Sequence, residues 1–237
     1  MKITIDENLF QLMPDLKLGI IHYNKITVSE SPQMLKGRLQ LFQEQLFFEL
    51  DTKPLTDFQG IKEWRETWKA FGADPNRYRP SAEALFRRIK KQNYLRTVHT
   101  AVDLNTFFSL QYEIPAGIYD LGKIVGDIHL TVGGEEDGYD GLNGRFNSLD
   151  RILQLKDEYS PFGSPYVDSV RTAVTEETTD ALHVLFLRPS MDKEEALQLT
   201  TACGNMFTSI SGGESTCYVL NEESPSVLLN GSKPFNL

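Results

Sequence analysis

Seven cationic side chains, Arg77, Arg79, Arg87, Arg88, Lys90, Lys91 and Arg96, crowd into residues 77–96 with one acid, Glu83. The segment is +6 in a chain of net charge −9, so the remaining residues carry −15. Guanidinium and ammonium groups hold phosphates and carboxylates through charge-assisted hydrogen bonds. A protein that coats nucleic acid is basic throughout. One basic patch on an acidic body fits either local contact with a polyanion or a solvated helix face, and the residues alone leave both open.

Other chemistries are missing from the motifs. There is no GxxxxGK[ST] phosphate loop, no G-x-G-x-x-G fingerprint, no H-E-x-x-H, no C-x-x-C pair and no G-x-S-x-G elbow. His22, His99, His129 and His183 are far apart, and His129 and His183 fall in strand-like runs that suit structural histidines. Glu135, Glu136, Asp137 and Asp140 lack EF-hand spacing and read as a solvated acidic loop. No metal site and no cofactor are expected. Cys203 and Cys217 read as reduced thiols, MKITIDENLF lacks the charge and apolar run of a signal peptide, and no stretch approaches a membrane span. The expectation is a cytoplasmic protein.

The elements that must carry these residues follow from periodicity. Residues 15–28 read as a strand. Ser31-Pro32 opens a helix in which Leu35, Leu39, Phe42, Leu46 and Leu50 recur at helical spacing, with Ser31 as expected N-cap. Residues 60–71 form a helix with Ile61, Trp64, Trp68 and Phe71 on one side, both tryptophans serving as core anchors, and Gly72 ends it. Ser81 is the expected N-cap of the basic helix, with Glu83 in its first turn. Its stripe of Ala82, Leu85, Phe86 and Ile89 leaves Arg87 and Lys91 pointing away and Arg88 and Lys90 at the flanks. From about residue 94 the pattern turns mainly β, with TFFSL a candidate short helix. Residues 133–148 read as a loop, strands fall near 151–156, 163–172 and 182–188, a helix spans about 190–206 from Ser190, and a strand covers 216–220. The segment from residue 224 onward reads as loosely held. Without regular βαβ alternation the chain is α+β, a mixed sheet with helices packed around it.

RYRPSAEALFRRIKKQNYLRTVHTAVDLNTFFSLQYEIPAGIYD resembles the B3/B4 domain of the phenylalanyl-tRNA synthetase beta subunit. Arg87-Arg88 match that family's Arg pair, and Val102-Asp103-Leu104-Asn105 its V-D-x-x core. Pro115, Tyr119 and Asp120 match its P-L-H-A-F-D segment, and residues 163–188 look like the second half of the domain. The resemblance covers about 60–215, leaving 1–59 as strands and a helix packed on it and 216–237 as a terminal strand and tail. The resemblance leaves no room here for a synthetase's catalytic core or its anticodon-binding part, so a complete tRNA ligase is not expected.

The resemblance implies an editing-type fold and a trans-acting deacylase that hydrolyses the ester of a mischarged aminoacyl-tRNA. The implied partners are the aminoacylated 3′ end of tRNA and a delivering synthetase, with no membrane or DNA. Such hydrolysis needs a positioned water and a stabilised oxyanion rather than a triad. Asp103, Asn105 and Arg171 are the implied catalytic candidates. Arg88, Gly117, Asp168, Thr178 and Thr179 are the implied substrate-binding residues, with Asp168 and Arg171 expected to meet across a sheet edge. Arg87, Lys90, Lys91 and Arg96 are the implied phosphate contacts. Each has a structural alternative: turn-forming for Asp103 and the threonines, ion pairing for the charged residues. Gly117 stands where the family has histidine, a change expected to enlarge the pocket and remove a donor or acceptor. That departure leaves a non-catalytic tRNA, amino-acid or peptide binding module as the alternative. A purely structural protein would show no pocket near Asp103, Gly117 and Arg171.

Overall fold

The computed structural model describes residues 1–229, and the last eight residues lie outside the description. The elements run β1 (Lys2–Ile5), α1 (Glu7–Leu12), β2 (Leu18–Asn24), α2 (Gln33–Thr52), α3 (Gln59–Ala70), α4 (Ser81–Lys90), α5 (Thr100–Tyr112) and β3 (Ala116–Asp120). There follow β4 (Ile128–Val132), β5 (Gly138–Asp140), β6 (Phe146–Ser148), β7 (Leu153–Lys156), β8 (Pro161–Gly163), β9 (Ala181–Phe186), α6 (Lys193–Ser211), β10 (Glu214–Leu220) and β11 (Ser226–Leu228). The fold is α+β.

Two sheets organise it. One has the order β10-β2-β9-β3 and is antiparallel throughout. The other has the order β11-β1-β4-β7-β8, with β1 and β4 parallel and the remaining pairs antiparallel. A two-residue period sends alternate side chains of the first sheet into different cores. Ile118, Ala181, Leu185 and Tyr23 pack with α2, α4, α5 and α6. Tyr119, Leu182, Val184 and Phe186 pack with the second sheet and α3. Both tryptophans of α3 are buried in that second core. Their indole N–H groups donate to the carbonyls of Phe186 (3.0 Å) and Tyr78 (2.5 Å), which satisfies the one polar atom each brings inside.

Several local expectations change. Residues 100–112 form one helix rather than a strand leading to a short helix, so Asp103 lies in a helical first turn and not at a strand end. His99 caps that helix, its Nδ1 accepting from Val102 N at 3.3 Å. None of the expected serine caps forms. Pro32 and Pro80 hold the cap positions of α2 and α4, and Asp192 caps α6 by accepting from Glu195 N at 2.8 Å. Ser31 is drawn away to Asp103 and Ser190 to Glu63. Within 133–148 a small β5–β6 hairpin forms, and 164–172 is irregular after a three-residue β8. Residues 226–228 are the edge strand β11, and the rest of the tail expected to be loose, 230–237, lies outside the described residues. Among the described residues no helix is long and apolar enough to cross a membrane.

Candidate functional site

Gly117 and Tyr119 sit two apart on β3 and therefore share a face, the one turned toward β8. The Tyr119 side chain is fully buried, its ring edge-on to Phe162 at 5.0 Å between centroids. A Cβ on Gly117 would lie 2.0 Å from the Tyr119 hydroxyl oxygen and 2.9 Å from Asp168 Oδ2. A Cβ on Gly163 would lie 2.3 Å from the same hydroxyl. The phenol is thus pinched between two glycines. This corrects the expectation of an enlarged pocket: the space beside Gly117 is taken by the Tyr119 hydroxyl and the Asp168 carboxylate.

Asp168 is half-buried, and its Oδ1 accepts from the Tyr119 hydroxyl at 2.7 Å and from Ser164 N at 3.3 Å. Burial raises its pKa to about 7, against the opposing pull of those two hydrogen bonds. Tyr119 is pushed well above its ordinary value, first by burial and then by the neighbouring Asp168. Tyr139 supports the loop from below, donating to the Val167 carbonyl at 2.5 Å with its oxygen 3.1 Å from Ser164 Oγ. A carboxyl poised near neutrality can take up or release a proton at working pH. Nothing in its spacing with Arg171 announces this. A legible hint is Gly117-x-Tyr119 on a strand, which places a small and a large residue on one face.

Asp103 and Asn105 lie on the other side of the same sheet. Asp103 is buried and accepts from Ser31 Oγ (2.6 Å) and Val98 N (2.9 Å), tying two loops to the start of α5. Asn105 donates from Nδ2 to the Ala116 carbonyl at 3.3 Å, and its Oδ1 is 3.0 Å from His183 Nε2. His183 Nδ1 lies 3.2 Å from the Tyr23 hydroxyl. These partners fit a neutral imidazole protonated on Nε2, with Tyr23 donating to Nδ1. Burial lowers the His183 pKa to about 3, which keeps it neutral. The ring is enclosed by Phe108 and Phe207 at 5.8 and 6.3 Å. The structure therefore brings Gly117 and Asp168 together and separates them by the sheet from Asp103 and Asn105.

Arg171 pairs with Asp157 (3.0 Å), not with Asp168. It also donates to the carbonyls of Lys123 (3.0 Å) and Ser160 (3.2 Å) and lies over the Tyr159 ring at 5.3 Å. Asp157 in turn accepts from the N–H groups of Val125, Tyr159 and Ser160. Sequence proximity suggested the Asp168 pair; the buried, multiply bonded Asp157 offers the guanidinium a better-satisfied partner. Thr178 Oγ1 donates to Asp120 Oδ2 at 2.7 Å and accepts from Thr175 N at 3.0 Å, closing a turn. Thr179 is exposed and donates to Asp180 at 2.8 Å.

The basic helix divides its cations. Glu83 is fully buried and accepts from Arg65 Nη1 on both oxygens (3.0 Å each) and from Arg87 Nε (2.8 Å). Arg87 thus turns back to a structural partner rather than pointing outward. Arg88, Lys90, Lys91 and Arg96 are exposed and form no ion pair among the described residues. The amide of Ser81 donates to the Pro165 carbonyl at 2.7 Å, so the N-terminal end of α4 touches the Asp168 loop. Arg88 follows two turns later, roughly 10 Å along the axis. Beyond α4 the chain is fastened to α2 by Gln43, whose Oε1 accepts from Leu95 N at 2.7 Å. A concavity of about 310 Å³ lies there, lined by Lys36, Leu39, Gln43, Tyr94, Leu95 and Thr97. A second, of about 340 Å³, lies by Phe10 and Pro225. Neither borders Asp103, Gly117 or Arg171, which is the outcome expected of a purely structural protein.

The β3 segment, the Asp168 loop and the helix that touches it all fall within a stretch matched by the model of the B3/4 domain, residues 63–208, and the chain belongs to that family. Among curated proteins, it is 32% identical over 221 residues to the uncharacterized protein YhzB of Bacillus subtilis, covering 93% of this chain and all of that protein. Among solved structures, an N-terminal fragment of the phenylalanyl-tRNA synthetase beta subunit from Pyrococcus horikoshii is similar at 12% identity and a TM-score of 0.43. That match covers 90% of this chain, which spans about half the length of the fragment.

Proposed function

We propose that the protein is a tRNA-binding deacylase that hydrolyses the ester of a mischarged aminoacyl-tRNA. Membership of the B3/4 family and the resemblance of its central segment to the synthetase editing domain support the substrate class. The observation that carries the chemistry is Asp168, a carboxyl held near neutral pKa beside Gly117. In the proposed reaction Asp168 accepts a proton from water as the water oxygen attacks the ester carbonyl. The tetrahedral intermediate then collapses with loss of the ribose oxygen, which takes that proton back. Tyr119 holds Asp168 in place through the 2.7 Å bond. Arg88, Lys90, Lys91 and Arg96 contact phosphates, adding affinity without base specificity. Asp103, Asn105, Arg171, Thr178 and Thr179 hold the surrounding fold and do not touch the reacting atoms.

Incubating the protein with a panel of mischarged tRNAs tests this. Ester loss faster than in buffer, abolished by Asp168→Asn, is expected; no loss with any member sinks the enzymatic reading. The filled space beside Gly117 favours a second reading, a module that binds tRNA without cleaving it. Its mark is salt-sensitive binding with no turnover.

A further inference from the structure

Helix α2 carries an apolar stripe that its own fold leaves uncovered. Leu35, Leu39, Leu46 and Leu50 face the core, yet Met34, Leu41 and Phe48 are 72%, 67% and 69% exposed. They are spaced by sevens. At 100° per residue each step falls only about 20° short of two full turns, so the three form one seam roughly 21 Å long. Phe48 stacks edge-on with half-buried Phe47 at 5.7 Å, and Phe47 meets Tyr94 at 6.5 Å, which widens the seam at its C-terminal end. With Gly37, Arg38, Glu44 and Gln45 between them, these residues supply one of the two apolar positions per heptad of a coiled-coil seam, and they leave a stripe of large apolar groups facing water.

Two further features say what covers it. The charges of α2 are segregated: its first ten residues carry Lys36 and Arg38, its last ten Glu44, Glu49 and Asp51. Lys36 and Glu49 are already paired with Glu30 and Lys53, so a second α2 laid antiparallel places the half of one helix that carries Arg38 against the half of the other that carries Glu44 and Asp51. The seam is also symmetric about Leu41, with Met34 and Phe48 seven residues to either side. An antiparallel two-fold through Leu41 therefore sets Met34 of one copy at the height of Phe48 of the other and meets the isologous requirement of a dimer. Gly37 lies beside this seam with nothing within 4 Å of where its Cβ would be. Glycine inside a helix costs about 1 kcal/mol relative to alanine, and here it leaves a notch that a side chain of the second copy can enter.

We propose that the protein self-associates through α2, as an antiparallel homodimer with its two-fold axis at Leu41. The patch is small, at the low end of specific interfaces, so the association is reversible and concentration-dependent. It does not depend on the proposed catalytic reading.

The test is sedimentation equilibrium of the full chain over a wide concentration range, for wild type and Leu41→Lys. Leu41 is exposed, so the variant is expected to fold and melt as wild type in dilute solution. Wild type should shift toward twice its monomer mass, and Leu41→Lys, which sets two ammonium groups against each other at the axis, should weaken this by more than about tenfold. A wild type that stays monomeric, or a variant that dimerises equally, overturns the proposal. Orientation is read by oxidative cross-linking with mass-spectrometric mapping. Met34→Cys mixed with Phe48→Cys should cross-link between the two variants. A product joining two copies of the Met34→Cys variant through position 34 instead would overturn the antiparallel arrangement.

Discussion

Replacing Asp168 by asparagine should stabilise the protein at high pH and do nothing for it at low pH. Unfolded, the carboxyl ionises at its ordinary 3.8; folded, it keeps its proton to about 7. Between those values the folded state binds the extra proton, so raising the pH drains stability, and above pH 7 the full penalty stands. At 1.36 kcal/mol per tenfold change in acidity the interval corresponds to as much as about 4 kcal/mol. His183 acts in the opposite sense: neutral when folded down to about 3, it adds stability as pH rises toward its unfolded value of 6.5. The two slopes oppose each other over much of the acid range, so the wild-type profile alone hides both. The difference between Asp168→Asn and wild type isolates the carboxyl, because His183 and His22 contribute equally to each. Asparagine keeps an oxygen to accept from the Tyr119 hydroxyl. Urea denaturation at a series of pH values should give a difference that climbs between pH 4 and 7 and then levels. Parallel stability–pH curves for the two proteins would refute the argument that Asp168 is desolvated in the fold. The same variant should lose the proposed deacylation, so stability gained and activity lost would come from one substitution.

Gly117→Ala forces a methyl against the Tyr119 hydroxyl and should lower stability by about 1–3 kcal/mol, visible as a melting temperature reduced by several degrees. Glu83→Gln leaves two guanidinium groups without their buried carboxylate and should cost about 3–5 kcal/mol in urea denaturation. Arg87→Ala removes only the exposed partner and should cost less than about 1 kcal/mol. Lys90→Glu with Lys91→Glu should weaken tRNA binding and flatten its log–log salt dependence by about two phosphate contacts, measured by filter binding across salt concentrations; an unchanged slope returns the helix end to plain solvation.

Helix periodicity made α2, α3 and α4 readable, because each buries one face whose apolar spacing survives in the linear order. Trp64 and Trp68 were legible as core for the same reason. α5 was not, because TAVDLNTFFSLQY is apolar around most of its circumference, which erases the period and leaves β-branched and aromatic residues to suggest strand. The caps failed for a different reason: Ser31 and Ser190 found long-range partners, Asp103 and Glu63, that no local rule contains. The charged residues show the same limit. Which carboxylate Arg171 meets depends on how β7, β8 and the loops around them fold, and Asp157 lies fourteen residues away in sequence. The glycine at 117 was visible; that a tyrosine two positions on would lie back over it was not, since this requires Gly163 from another sheet.

The tyrosine held between those glycines also constrains how this chain can change. Positions 117, 119 and 163 form one steric unit. A histidine placed at 117 would collide with Tyr119, and shrinking Tyr119 first would strip Asp168 of its 2.7 Å donor and open a void against Phe162. Either single substitution on the way to an imidazole at 117 gives a less stable protein. The glycine is therefore locked in by its neighbour, and an engineer who wants the imidazole must change all three positions at once.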